Sequence, residues 1–129
     1  MNIIVPIDFS ENSIKALEFA IFLANKKQAK ITLVHVIEAV YDFAFQAAIS
    51  IDSLFTDGEK LLNTIQTKYS VPGVEIDHKI VEGNPAISVA RIANEQSATL
   101  IVMGTQGASG ITKALIGTTT VSLIQEANC

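Results

Sequence analysis

Three glycines recur at every third position late in this sequence, Gly104, Gly107 and Gly110, and a further one, Gly117, is followed by Thr118 and Thr119. Glycine adopts positive φ freely, so successive amides in such a loop turn inward as a nest for an anion. A helix opening near Gly117 aims its free N–H groups, and the positive end of its dipole, at the same place. The hydroxyls of Ser109, Thr118 and Thr119 add donors. Such a loop cradles phosphate without a basic side chain. Lys113 lies inside the loop, where it either reaches a phosphate or stays solvated. A second chemically loaded segment is Asp8-Phe9-Ser10. Its carboxylate either meets a ligand or hydrogen-bonds the following turn.

Other chemistries find less support. The frame G-x-x-x-x-G-K-[ST] is absent, and no glycine follows the first apolar run where a dinucleotide fingerprint would place one. A nucleophilic triad would have to join Ser10 or Ser109 to His35, and no G-x-S-x-G context surrounds either serine. Nucleotide hydrolysis asks for a positioned water, a metal and charge stabilisation, yet the single arginine, Arg91, sits within a helical pattern. No catalytic residue and no resident metal site is therefore assigned. His35 ends a buried strand and reads as a packed or hydrogen-bonded residue; His78 is placed on the polar face of a strand, in solvent. Neither has Cys or His neighbours at ligand spacing.

The elements that must hold these residues alternate regularly. Ile3-Ile4-Val5-Pro6-Ile7 is a continuous apolar run, the pattern of a strand buried on both faces. Ser10 caps a helix with Ile14, Leu17, Ile21 and Ala24 at helical spacing and Phe19, Phe22 and Leu23 widening the stripe. A second strand covers 30–36. Residues 37–50, with Tyr41, Phe43 and Phe45, read as loop, early helix or both, their aromatics as packing rather than as a lid. A helix over 52–69 carries Leu54, Leu61, Ile65 and Tyr69, with Gly58 on the same side allowing close approach. Residues 74–81 alternate, which predicts a half-buried edge strand. Asn84 and Pro85 start a third helix with Ile87, Ala90 and Ala93 inward. A fully apolar strand over 99–103, the glycine loop and a last helix over 118–127 complete the chain. This order predicts right-handed βαβ units, hence an α/β fold: an open, doubly wound parallel sheet flanked by helices.

Size and charge narrow the partners. One domain fits 129 residues, and 49% apolar against 17% charged residues is globular composition. A net charge of −4 argues against nucleic acid or anionic lipid as partners. Cys129 stands alone, so no internal disulfide forms. The N-terminus has no basic leader, and no apolar run approaches the ~20 residues of a membrane span. The expected location is cytoplasmic, with no membrane partner.

A glycine signature and four further segments carry a family resemblance. Gly104-x2-Gly107-x9-Gly117-Thr118 matches the G-2x-G-9x-G-[ST] signature of the universal stress protein family. The segment 3–10 resembles that family's first strand and turn, His35-Val36 the end of its second strand, and Glu82-Gly83-Asn84-Pro85 the start of its third helix. Ile101-Val102-Met103-Gly104 resembles the approach to its phosphate loop. The resemblance spans the chain with its motifs in family order. It implies an adenine nucleotide alpha hydrolase-like sheet of order 3-2-1-4-5 that binds ATP, or ADP or AMP, with Mg²⁺ as a possible companion. Asp8 and Val36 are then expected to line the adenosine, with Pro6 beside them. Met103, Gly104 and Gly107 would approach ribose and phosphate, and Gly117, Thr118 and Thr119 the phosphates, with Ser109 and Gly110 completing the cradle. It also implies a homodimer or a tandem pair. Because the sequence stops where the family's fifth strand would follow, the expectation is a single domain over 1–129, cut before that strand or forming half of a tandem. Three roles remain: a stress-response nucleotide-binding module, a slow ATPase on the same site, and an interaction module with an empty loop.

Overall fold

A computed structural model describes residues 1–38 and 44–104. In chain order these form β1 (Asn2–Pro6), α1 (Glu11–Lys27), β2 (Lys30–Ile37), α2 (Ala44–Lys68), β3 (Glu75–Glu82), α3 (Pro85–Glu95) and β4 (Leu100–Ile101). The strands pair in parallel in the order β3-β2-β1-β4. The doubly wound parallel sheet expected from the sequence is what forms, and the order 3-2-1-4-5 holds over the strands described. The chain steps outward from β1 through β2 to β3, then crosses back over β1 to β4. The order therefore reverses between β1 and β4.

Successive side chains of a strand point to opposite faces. Ile3, Val5, Ile31 and Leu33 meet Ala16, Leu17, Ala20 and Ala24 of α1 and Leu62 of α2 on one face. Ile4 and Val34 meet Ala86, Val89, Ala90 and Ala93 of α3 on the other. Both parities are consumed, which is why β1 reads as an unbroken apolar run. Each fully buried Leu or Ile contributes about 1.5–3 kcal/mol relative to exposure.

The helix ends follow local chemistry. Ser10 accepts from the Ser13 amide at 3.2 Å and starts α1, and Gln28 closes it in the left-handed region, with Lys26 and Lys27 in the last turn. Asn84 accepts from the Ile87 amide at 3.0 Å, with Pro85 opening α3 as expected.

The inward faces differ from the sequence expectation in three places. Phe19 and Phe22 do not widen the buried stripe of α1: both are more than half exposed, their rings 6.5 Å apart. The small residues Ala16, Ala20 and Ala24 bring α1 close to the sheet and leave no room for phenylalanine on that side. On α2 the buried line runs through Gly58 and Leu62, with Phe55, Ile65 and Tyr69 half-buried, while Leu54 and Leu61 face outward. The helix also begins earlier, at Ala44 rather than 52. On α3, Ile87 is exposed and Ala86, Val89 and Ile92 are buried instead.

β3 is an edge strand among the described residues, with the predicted alternation. His78 nevertheless is not on its solvent face. It shares parity with Ile76 and Ile80 and turns toward α2, where its Nδ1 meets Gln66 Oε1 at 2.6 Å and its Nε2 meets Glu59 Oε1. Gln66 in turn donates to the Ile76 carbonyl at 2.7 Å.

Candidate functional site

In an open parallel sheet the crevice for a ligand lies beyond the carboxyl ends of the strands, where the strand order reverses. Here that point is the exit of β1 beside the exit of β4. The Asp8 turn and the Met103-Gly104 segment stand there, one on each strand.

The exit of β1 is held residue by residue. The Ile7 amide donates to the Val34 carbonyl at 2.8 Å. The Ile7 carbonyl accepts from His35 Nδ1 at 2.7 Å, which fixes the imidazole tautomer because a carbonyl only accepts. Phe9 then adopts φ 66°, an uncommon conformation for a bulky residue that costs roughly 1–2 kcal/mol. Its ring lies 4.6 Å from that of His35, tilted by 50°. The reversal at Phe9 brings the Ser10 amide back to Asp8 Oδ1 at 2.9 Å.

The carboxylate is therefore exposed on one side and hydrogen-bonded on the other. Burial pushes its pKa up, but hydrogen bonds from the Ser10 hydroxyl and amide, the Ser13 hydroxyl and its own amide outweigh this and hold it below the ordinary value. An ionised Asp8 is an acceptor only. It also sits beside the N-terminus of α1, where negative charge is favoured. With Asp8 already there, that end of α1 is a poor place for a phosphate and a good one for hydroxyl or amino donors.

The apolar wall lies on the α3 side. Val36, two residues beyond the last β1–β2 register pair, and Met103, just past β4, are half-buried and pack against the same cluster beneath α3. Pro6, the half-buried last residue of β1, stands between those two strands. Gly104 has a structural reason to be glycine. A Cβ there would lie 2.9 Å from Asn12 Cβ and 3.0 Å from the Asn12 carbonyl carbon, so the chain leaving β4 passes directly over the first turn of α1. At the far strand, Gly83 takes φ 148°, with its amide donating to the Ile37 carbonyl at 3.0 Å.

Of the expected site residues, Pro6, Asp8, Val36, Met103 and Gly104 thus share the carboxyl end of the sheet. Gly107, Ser109, Gly110, Gly117, Thr118 and Thr119 lie outside the described residues, as do Tyr41, Phe43, Lys113 and Cys129. Sequence reasoning took Phe9 only as part of the Asp8-Phe9-Ser10 segment, with no role of its own, and passed over Asn12. Nothing local marks them, since their roles come from a φ value and from a strand ninety residues away in the chain. Gly58 was legible as a point of close approach, and its partner proves to be His35. A Cβ on Gly58 would meet His35 Cδ2 and Ile80 Cδ1, each at 3.3 Å.

A family model described as the universal stress protein family matches residues 1–129. The chain belongs to the universal stress protein family. Among curated universal stress proteins, one from Bacillus subtilis is 31% identical over 98% of this chain and 93% of its own length. One from Methanocaldococcus jannaschii is 29% identical over 98% of this chain and 77% of its own. Among solved structures, the universal stress protein UspA of Lactobacillus plantarum superposes with a TM-score of 0.87 at 21% identity, over 100% of this chain and 93% of that one. It shares the fold. Two further structures of the family carry adenine nucleotides: an Arabidopsis thaliana protein with AMP bound (TM-score 0.72) and a universal stress protein in complex with cAMP (TM-score 0.68). At 19% identity each, both share the fold with this chain.

Proposed function

We propose that this universal stress protein binds an adenine nucleotide in the crevice between the exits of β1 and β4, and serves as a nucleotide-responsive binding module. The observation that carries this reading is what the carboxyl end of the sheet brings together: an ionised, exposed acceptor, Asp8, at the exit of β1, and the half-buried apolar residues Val36 and Met103 at the exits of the two strands that flank it. A nucleoside offers the matching surfaces, a flat apolar base and several hydroxyl and amino donors. The glycine and threonine series 104–119 continues from Met103 and has the composition of a phosphate cradle, so the phosphates of ATP, ADP or AMP would run away from Asp8 along it. Mg²⁺ would accompany a polyphosphate without needing a dedicated protein site. The nucleotide-bound relatives support the same ligand class. The module would act as a homodimer or beside a second such domain.

The test is calorimetric titration of the purified chain with AMP and with Mg·ATP, after assaying the preparation for co-purified nucleotide. Binding in the micromolar range or tighter is expected. Asp8→Ala should weaken it about tenfold, the worth of one charge-assisted hydrogen bond. Release of ADP and phosphate from Mg·ATP should stay at the buffer rate. Product formation abolished by Asp8→Ala would make the chain a slow ATPase, and absence of binding by wild type would leave an interaction module.

A further inference from the structure

We propose that His35 is a positioning residue for the Asp8 turn: its imidazole, donating from Nδ1 to the Ile7 carbonyl and packed against the Phe9 ring, holds the left-handed residue that sets where the Asp8 carboxylate stands. The effect on ligand affinity rests on the nucleotide reading above; the effect on Asp8 itself does not.

Three observations converge. The first is the hydrogen bond. Ile7 is the residue on which the chain leaves β1, and both its backbone groups are committed to β2, the amide to Val34 and the carbonyl to His35. The ring of His35 thus extends the hold of β2 on β1 past the last paired residue, Pro6. The second is strain. A phenylalanine at φ 66° is sterically disfavoured and persists only where its surroundings over-determine it. The described surroundings are the His35 ring at 4.6 Å and the apolar cluster beneath α1 and α2. The third is space. Gly58 is the residue of α2 directly over His35, and any side chain there would press on the imidazole. The helix is cleared at the one point where the ring must lie.

The consequence passes through Phe9 to Asp8. The bond from the Ser10 amide to Asp8 Oδ1 exists because the chain reverses at Phe9. Should Phe9 relax to an ordinary right-handed or extended conformation, that amide swings away. Asp8 then loses both its orientation and the donors that keep it ionised. A histidine that merely fills the core would leave the carboxylate untouched.

The experiment is a carbon-13 NMR titration of the Asp8 carboxyl in folded wild type, His35→Phe and His35→Asn, with AMP calorimetry on the same samples. His35→Phe keeps a ring beside Phe9 and deletes the donor. His35→Asn restores an amide donor near the Nδ1 position. Wild-type Asp8 should titrate below the ordinary value of about 3.9. In His35→Phe its midpoint should move up toward that value, and AMP affinity should fall roughly fivefold, the worth of one neutral hydrogen bond. His35→Asn should recover part of both. An Asp8 midpoint unmoved in folded His35→Phe overturns the proposal. Should His35→Phe fail to fold, Phe9→Ala removes the other contact without touching β2: an upward Asp8 midpoint supports the proposal and an unmoved one overturns it. Wild type that shows no affinity for AMP sinks the nucleotide reading alone, because the Asp8 midpoints still decide the role of His35.

Discussion

The two ends of the parallel sheet are built on opposite principles. At the amino end the elements are closed on one another. Asn2 Nδ2 donates to the Gln96 carbonyl at 3.0 Å, Thr32 Oγ1 to Gln96 Oε1 at 3.1 Å, and the Thr99 amide to the Asn2 carbonyl at 2.8 Å. Lys30 reaches Glu75 and Asp77 across the strands, an exposed pair of contacts worth little by themselves. The left-handed residues there, Gln28 and Ser97, follow helix ends, where such a conformation is the ordinary way to stop a helix. At the carboxyl end the left-handed residue other than glycine, among the described residues, is an aromatic, Phe9, and its neighbour is a carboxylate facing solvent. One end spends its polar groups on the fold. The other leaves an acceptor outward beside a half-buried apolar wall, with strained backbone to hold it there. The proposed nucleotide site and the contacts that close the amino end are therefore separable by position.

The largest effect is expected where that separation fails, at Gly104. Gly104→Val forces a side chain into the Asn12 backbone at 3.0 Å and should destabilise the protein by about 1–3 kcal/mol. Because the same segment walls the crevice, AMP binding should be lost as well. Urea unfolding and calorimetry together read both; a variant with full stability and full affinity would mean that the loop and α1 part easily. Next in size is Gln96→Ala, which leaves the Thr32 hydroxyl, only 3% exposed as a residue, without its acceptor. About 1–2 kcal/mol of stability should go, with AMP affinity unchanged. A fall in affinity of the same size would show that the two ends are coupled through the sheet.

The smallest effect sharpens the comparison at Asp8. Its folded pKa lies below the unfolded one, so the ionised carboxylate contributes stability that is fully present above the ordinary value of about 3.9 and is lost as the pH falls through the folded pKa. Asp8→Asn keeps an oxygen for the Ser10 amide but cannot ionise. The stability gap between wild type and Asp8→Asn, followed by urea midpoints, should be constant from neutral pH down to about 4 and close below it. A gap that persists in acid would mean that the turn does not depend on the charge.

The two histidines show how far sequence reading reaches. His35 was legible as a hydrogen-bonded residue at the end of a buried strand, and it is one. Which carbonyl it holds was not legible, because Ile7 and Gly58 are brought to it by strand pairing and helix docking. His78 was misplaced although the signal existed: it stands two residues from both Ile76 and Ile80, and a period of two puts it on their face. Its bracketing by Gln66 and Glu59 was again a matter of tertiary contact. The stripes of α1 and α2 differ for a shared reason. Sequence periodicity finds an apolar arc, but the small residues beside Leu17 and Leu62 decide which part of that arc approaches the sheet. Ala16, Ala20 and Gly58 took the inner places, and Phe19, Phe22, Leu54 and Leu61 were turned outward.

What the sequence determined by itself was the order of the described elements, the parallel sheet they form and the glycine series that points to a ligand beyond its carboxyl end. These follow from local pattern: unbroken apolar runs for doubly buried strands, caps at Ser10 and Asn84, alternation in β3, and a glycine series after β4. What only the tertiary structure decided was the conformation of Phe9, the hold of His35 on Ile7, and the necessity of glycine at 58 and 104. Each depends on atoms far apart along the chain meeting within a few ångströms, and close packing converts such meetings into constraints that no local pattern records.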